Sequence, residues 1–464
     1  MKKAKILRKR YPKFVFEKYA WRISEKDLEI SFKFKMGSDI KFNPKVVIKN
    51  VNKNQIKRVE DSVLNNLIFH LGLIELLSYW KTACPPEIEI RAGFLNGEQI
   101  KFWRDLILKG MGQFFYENRI DFTRPSFLKI KATADAVLIG YYKEKLENRI
   151  LVPIGGGKDS IITLEILKNA KKNITCFSLS PTTATQKVMK IGGCKTPIIV
   201  QRKVDRKLLE LNRKGFLNGH TPLSAYLAFL SILLAVIFDY KFITFSNERS
   251  SNEGNLKYLG KIINHQYSKS FDFEKRFREY SKEYLTKEVE YFSFLRPLYE
   301  IQISKLFRRY PKYFSSFISC NEAFKTYSGR REPIKTWCQK CPKCLFIFTA
   351  LYPFLGKYRL FRIFKKNLFE RIGFLPTMLR LIGEKKFKPF ECVGTKKETL
   401  IAFYLSWRKE KRGKKPFLLR YFEKNILPKH PNLEKESKKI MNSWSDQHNL
   451  PKEFEKILKE RVKY

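Results

Sequence analysis

Residues 151–167 read LVPIGGGKDSIITLEIL: an apolar strand, three consecutive glycines, and Lys-Asp-Ser opening an apolar helix. This stretch constrains the fold more than any other, because the pattern repeats after it. RILVPI (149–154), ITCFSL (174–179), TPIIV (196–200) and KFITF (241–245) read as buried strands, with a helix over 160–170 and a charge-free helical run over 221–238 between them. Strands alternating with helices predict a parallel sheet covered by helices on both faces. Ligands of such sheets bind beyond the carboxyl ends of the strands. The glycine loop and SNERSSNEGN (246–255) both follow strand ends, so both are expected to border one crevice.

The loop itself is suited to phosphate. Backbone N–H groups and the dipole at a helix N-terminus attract anions, and Gly155, Gly156 and Gly157 let the backbone come close without Cβ clashes. Lys158 adds charge, Ser160 a hydroxyl, and Asp159 lies between them. Neither the Gly-x4-Gly-Lys-Ser/Thr loop nor the Gly-x-Gly-x-x-Gly dinucleotide loop is present. The segment instead resembles the pyrophosphate loop Ser-Gly-Gly-x-Asp-Ser of the PP-loop ATP pyrophosphatases, with Gly155 at the position of the first Ser. That resemblance implies cleavage of ATP between its α- and β-phosphates, with a substrate oxygen attacking the α-phosphorus.

Three regions are expected in the 464 residues. Residues 1–125 read as an accessory α+β domain, with strands at 28–36 and 42–48, a helix over 59–81 ended by Pro85-Pro86, and helix over 96–118. Residues 126–315 form the nucleotide-binding domain. Residues 316–464 form a helical, aromatic, basic C-terminal part. The chain carries 93 Lys and Arg against 45 Asp and Glu, a net charge of +48. Such a balance suits nucleic acid, an anionic surface or a polyanionic substrate, but the basic residues are spread along the whole chain, as on ordinary lysine-rich surfaces. The N-terminus lacks the apolar core of a signal peptide, and the run at 221–238 is short for a bilayer and reads as a core helix. A cytoplasmic protein without a membrane span is expected. Nothing in the sequence specifies its oligomeric state.

Eight cysteines in a reducing compartment point to metal or chemistry rather than disulfides. Cys338, Cys341 and Cys344 follow Cys-x2-Cys-x2-Cys, and Cys320 lies upstream. Four thiolates close a tetrahedral ion, so the site is expected to be structural, with zinc first and an iron–sulfur cluster second. The arrangement is similar to the zinc site of the 7-cyano-7-deazaguanine synthases, also PP-loop enzymes. Cys84, Cys176 and Cys194 are expected as small core residues.

Taken together, YPKFVFEKY (11–19), VPIGGGKDS (152–160), LNRKGFLNGHTPLSA (211–225), SNERSSNEGN (246–255), NHQYSKSFDFE (264–274), YFSFLRPLYEIQISKLF (291–307), SCNEAF (319–324), WCQKCPKCLF (337–346) and KPFECVGT (388–395) resemble one family. It is the ATP-dependent UDP-N-acetyl-α-D-muramoyl-L-alanyl-L-glutamate epimerases of peptidoglycan synthesis. The likeness runs to about residue 400. It implies ATP and Mg²⁺, a UDP-muramoyl dipeptide substrate, and no nucleic acid partner. It also implies adenylation of the glutamate α-carboxylate before Cα is inverted, with release of AMP and pyrophosphate.

The candidate acid/base groups are His220, His265, Lys269, Glu248 and Cys392, with Glu391 beside the last; core packing is the alternative for Cys392, and capping the following helix the alternative for His220. Lys269 shares a face with His265 if that stretch is helical. Asn247, Arg249, Asn252, Glu253 and Asn255 are expected around the nucleotide. Glu248 and Glu253 are placed for Mg²⁺ or for base chemistry. Arg202 and Arg296 either clamp an anion or form ion pairs, and His70, on an apolar helix, is expected to be packed. A PP-loop enzyme that modifies RNA or a nucleobase is the rival reading, since 40 Phe and 22 Tyr suit base stacking. A non-catalytic nucleotide sensor is a third.

Overall fold

The computed structural model describes residues 2–133, 140–323, 334–410 and 414–462. Its centre is an 11-stranded mixed sheet. Five parallel strands form one half, in the spatial order Glu290–Ser293, Phe242–Phe245, Ile150–Pro153, Ile174–Leu179, Ile198–Lys203. Ranked along the chain, that order is 3-2-1-4-5 read from the Ile198–Lys203 side. The direction of winding therefore reverses between Ile150–Pro153 and Phe242–Phe245, which pair in parallel through Ile150↔Phe242 and Leu151↔Ile243. A doubly wound sheet opens its ligand crevice at this reversal. The loops that leave these two strands are the glycine loop and the segment from Ser246.

The same sheet continues into the N-terminal strands. Ile198–Lys203 pairs antiparallel with Lys45–Lys49, placing Arg202 opposite Val46. Beyond it lie Asp27–Met36, with Ile40–Phe42 paired to it, then Lys13–Ser24, Glu87–Ile90 and Lys129–Ala132. The expected strands at 28–36 and 42–48 are present, as Asp27–Met36 and as the pair Ile40–Phe42 and Lys45–Lys49.

Alternation along the strands divides two cores. Leu151, Phe177, Val200 and Ile243 face a cluster that includes helices Asp61–Glu75 and Leu223–Phe238. Ile150, Val152 and Cys176 face a second, with helix Lys158–Asn169 and the C-terminal helices Pro342–Leu351, Lys396–Lys409 and Phe417–Asn425. The last helix, Lys452–Val462, returns to the sheet: Phe454 packs 5.0 Å from Phe242 and 4.8 Å from Phe292, ring centre to ring centre.

Helix Leu223–Phe238 is buried along nearly its whole length. The segment Asp61–Trp80 is long and apolar enough to cross a membrane by length and composition, yet 89% of it is buried inside the protein. Helix packing between sheet and helices explains both apolar runs.

His70 is packed, as expected. Its Nδ1 lies 2.8 Å from the Asn66 carbonyl and its Nε2 2.8 Å from the Tyr280 hydroxyl. Burial lowers it to about 4. Above pH 6.5 the imidazole is neutral in both folded and unfolded chains and stability is complete. As pH falls from 6.5 toward 4, only the unfolded chain takes up the proton, so stability is lost. Between pH 7.5 and 5 this site is expected to remove about 2 kcal/mol. Urea unfolding of the protein and of His70→Gln at the two pH values checks it, and parallel losses in both would remove His70 as the cause.

One expectation is corrected. Cys176 and Cys194 are not separate core residues but form a disulfide, with their Cα atoms 5.9 Å apart. Cys176 lies on Ile174–Leu179, and helix Thr183–Gly192 ends on left-handed Gly193, which turns Cys194 back onto that strand. Their separation of 18 residues gave no spacing signal.

Candidate active site

The strand Ile150–Pro153 ends in the glycine loop, and helix Lys158–Asn169 starts with Gly157 as its cap. Gly156 has φ +84°, a left-handed conformation that favours glycine, and a Cβ there would lie 3.0 Å from Thr185 Oγ1. Thr185 Oγ1 itself lies 3.4 Å from the Gly155 carbonyl. Gly155 is exposed, and a Cβ there would meet nothing within 4 Å, so the loop is open at that residue. Ser160 Oγ turns back to donate to the Gly157 carbonyl at 3.1 Å.

Lys158 is buried and paired with both Asp159 and Glu300. Glu300 begins helix Glu300–Phe307 and was not singled out in the sequence, since a carboxylate in a helix's first turn is ordinary. Oxygens of Asp159, Glu248 and Glu300 all lie within 4.8 Å of one another. Burial and the facing Glu300 raise Glu248 to about 7. Burial pushes Glu300 upward too, but Lys158 and Lys343 outweigh it and hold Glu300 at about 2. Three hard oxygen donors this close suit a divalent cation such as Mg²⁺.

A second group lies along the same crevice, and its members are half-buried and reachable. Cys392 Sγ is 3.4 Å from Lys269 Nζ and 3.8 Å from His265 Nε2. The His220 and His265 rings are 4.5 Å apart. The Gln113 amide nitrogen donates to Glu117 Oε1 at 2.8 Å, which turns its oxygen to His265 Nδ1 at 2.5 Å. Nδ1 therefore carries the proton, and Nε2 presents its lone pair to Cys392. Burial, then the charge of Lys269, lower His265 to about 3, so its ring is neutral. Burial, with His265 and Lys81 beside it, lowers His220 well below its ordinary range. Lys269 is held protonated by Cys392 and Glu248 against the cost of its burial.

Lys269 and His265 do not share a helical face. His265 precedes a single 3₁₀ turn, Tyr267–Lys269, and the two side chains meet only because both reach Cys392. Arg296 is fully buried and ties this corner together. It donates to the carbonyls of Glu248 at 2.8 Å and Lys269 at 2.6 Å, and pairs with Glu274 at 3.0 Å. It acts as an ion pair and backbone anchor, fixing the two segments that carry Glu248 and Lys269.

The remaining expected residues are mostly engaged within the protein. Arg202 makes a two-pronged pair with Glu75, at 2.8 and 3.0 Å, and reaches Ser78 at 2.6 Å. Asn247 donates to Ser293 Oγ, and Asn252 accepts from the Phe271 amide. Asn255 holds the Pro389 carbonyl at 2.7 Å and the His265 amide at 2.8 Å, so it links the post-strand loop to the segment bearing Cys392. Glu253 pairs with buried Lys388 at 3.2 Å. Arg249 stacks over Tyr299 at 4.5 Å. Glu391 meets the Asn321 side chain.

The four cysteines of the C-terminal part converge. Cys320 lies 3.8 Å from Cys341, Cys338 3.6 Å from Cys344, and Cys341 3.5 Å from Cys344, sulfur to sulfur. A tetrahedral ion with metal–sulfur bonds of about 2.3 Å spaces its ligands about 3.8 Å apart. The set can hold one metal ion. Residues 324–333, between the first cysteine and the others, lie outside the described residues. Lys343, between two of the ligands, was not anticipated: it is buried, 3.5 Å from Glu300, and bonded to the Cys392 carbonyl. A lysine inside a metal-binding spacing carries no separate signal in sequence.

Residues 5–294 match the MurL N-terminal domain family, and residues 316–437 match the MurL C-terminal domain family. This chain belongs to the MurL family. It is 33% identical over 362 residues to the UDP-N-acetyl-alpha-D-muramoyl-L-alanyl-L-glutamate epimerase of Xanthomonas oryzae pv. oryzae (strain MAFF 311018), covering 77% of this chain and 78% of that relative. It is 32% identical over 346 residues to the protein of the same name from Micromonospora sp. (strain ATCC 39149 / NRRL 15099 / SCC 1413), covering 74% and 75%. With the Salinispora tropica (strain ATCC BAA-916 / DSM 44818 / JCM 13857 / NBRC 105044 / CNB-440) protein of that name it shares 33% over 348 residues, 74% of each chain. Within the MurL family match, the division between the two domain families falls just after the strand Glu290–Ser293, and all four cysteines lie in the C-terminal match.

Proposed function

We propose that this MurL-family chain inverts Cα of the terminal glutamate in UDP-N-acetylmuramoyl-L-alanyl-L-glutamate, at the cost of one ATP cleaved to AMP and pyrophosphate. The observation that carries the reading is the meeting of two chemistries in one crevice. A glycine loop that resembles the PP-loop type lies at the sheet reversal, and a Cys392–His265–Lys269 cluster is joined to it through Lys343, which touches both Glu300 and the Cys392 carbonyl.

The order of events follows from charge. A Cα–H beside a carboxylate is very weakly acidic, because its carbanion would sit next to an anion. Attack of the carboxylate oxygen on the α-phosphorus forms the acyl adenylate and expels pyrophosphate, so that charge is removed. The glycine loop and Lys158 hold the leaving group. Asp159, Glu248 and Glu300 would hold Mg²⁺, which would supply charge neutralisation for the phosphates. The Lys269 ammonium beside its sulfur favours the Cys392 thiolate, its proton going to solvent, which makes Cys392 a base for Cα–H, while neutral His265 Nε2 faces the same sulfur. Reprotonation from the opposite face gives the D configuration, and water releases AMP. His220, its ring 4.5 Å from that of His265, extends the proton path. A zinc ion in the four-cysteine site is structural, since four thiolates leave no open position. The sulfur spacing supports a single ion over an iron–sulfur cluster, whose several irons spread their thiolates.

The test is an incubation with ATP, Mg²⁺ and the L-glutamate substrate in D₂O. AMP together with D-glutamate carrying deuterium at Cα is the expected product. AMP without a stereochemical change would keep an adenylating enzyme and reject the epimerase. If tRNA rather than the muramoyl dipeptide triggered AMP release, the RNA-modifying reading would replace it.

A further inference from the structure

We infer that Ser319 is a phosphate-binding residue, held against the glycine loop by the four-cysteine centre. The inference rests on the adenylating reading above and adds a residue, with its delivery device, from the other half of the chain.

The hydroxyl within the loop is already committed, because Ser160 Oγ donates to the Gly157 carbonyl at 3.1 Å. Ser319 offers another. Its Oγ is shut off from solvent and has no hydrogen-bond partner. Its Cβ would lie 3.3 Å from a Cβ built on Gly157, so the side chain stands at the first residue before helix Lys158–Asn169. The neighbouring Ile318 amide donates to the Gly156 carbonyl at 3.1 Å, which fixes the segment to the loop itself. A buried hydroxyl without a partner is unfavourable and rare. Here it borders the helix start, where N–H groups and the dipole draw an anion. A phosphate oxygen placed there accepts from Ser319 and removes the defect.

The segment cannot retreat from the loop. Phe317 packs 5.3 Å from Trp337 and 4.7 Å from Phe307, and the residue after Ser319 is Cys320 of the four-cysteine set. On the other side of the same centre, Lys343 sits between Cys341 and Cys344 and reaches Glu300. The four-cysteine part of the chain thus places one hydroxyl beside the glycine loop and one ammonium beside Glu300.

Titration calorimetry with magnesium pyrophosphate, MgATP and AMP, on the full chain with its metal content measured, tests this. In Ser319→Ala, pyrophosphate and ATP are expected to bind about tenfold more weakly, with AMP within about twofold and the metal retained. Unchanged pyrophosphate affinity in Ser319→Ala, with the unaltered protein binding pyrophosphate, would overturn the role of Ser319 and leave the adenylating reading standing. If the unaltered protein bound neither ATP nor pyrophosphate, that reading would fall and Ser319 with it. Hydrogen exchange on the unaltered protein decides independently of how the variant folds. Pyrophosphate, but not AMP, should slow exchange over residues 316–320, and equal exchange with and without pyrophosphate overturns the inference.

Discussion

Replacing Cys392 by alanine is expected to slow Cα–H exchange and inversion by roughly 10²- to 10⁴-fold, the range over which a positioned acid/base group contributes, while ATP is still cleaved to AMP. The separation follows from the geometry. The proposed phosphate end comprises the glycine loop, Lys158 and the three carboxylates, and the side-chain contacts of the Cys392 sulfur are instead with Lys269 and His265. The sulfur meets Lys269 at 3.4 Å and His265 at 3.8 Å. Its removal leaves adenylation intact and takes away the thiolate that reaches Cα–H. The readout is the ratio of AMP released to deuterium incorporated, expected to rise steeply in Cys392→Ala. Gln113→Ala should give a smaller effect of the same kind, because it frees the His265 tautomer without removing the sulfur. Equal losses of AMP and deuterium, or none of either, would remove Cys392 from the proton transfer.

Replacing Cys344 by serine is expected to cost the metal ion and, with it, the packing of the C-terminal part. Structural zinc contributes on the order of 10 kcal/mol to the folding of small domains, as much as the whole stability of many proteins. Cys344 is buried, in the same core as Trp337, Phe317 and helix Lys158–Asn169. Losing the ion should therefore expose 316–437 to proteolysis and also abolish nucleotide binding, through Ser319 and Lys343. Metal analysis and limited proteolysis check this, with Cys392→Ala as the control that keeps its metal. Full metal content and unchanged proteolysis in Cys344→Ser would show that the four sulfurs hold no structural ion.

Helix Leu223–Phe238, the strands Ile150–Pro153, Ile174–Leu179 and Phe242–Phe245, and the phosphate-loop shape of residues 155–160 were legible because each rests on local rules: apolar runs, period and glycine. The four cysteines were legible because metal geometry fixes their spacing in sequence. Strand Lys13–Ser24 was not, since its outer half alternates half-buried with exposed residues such as Lys18 and Arg22, and its second neighbour, Glu87–Ile90, lies far along the chain. The Cys176–Cys194 bridge, Glu300 and Lys343 were not legible either, because each becomes special only through a partner distant in sequence.

The sequence by itself determined a strand–loop–helix whose glycines resemble a phosphate loop, a run of parallel strands, four cysteines at metal-ligand spacing, and the family to which all of these belong. Tertiary structure alone decided which polar groups act together. It spent Arg202 and Arg296 on buried ion pairs. It brought Cys392 to His265 across 127 residues, and Lys158 to Glu300 across 142. Local propensity acts over a few residues and leaves its mark in the chain, whereas the electrostatics of a crevice depends on distances that only packing sets.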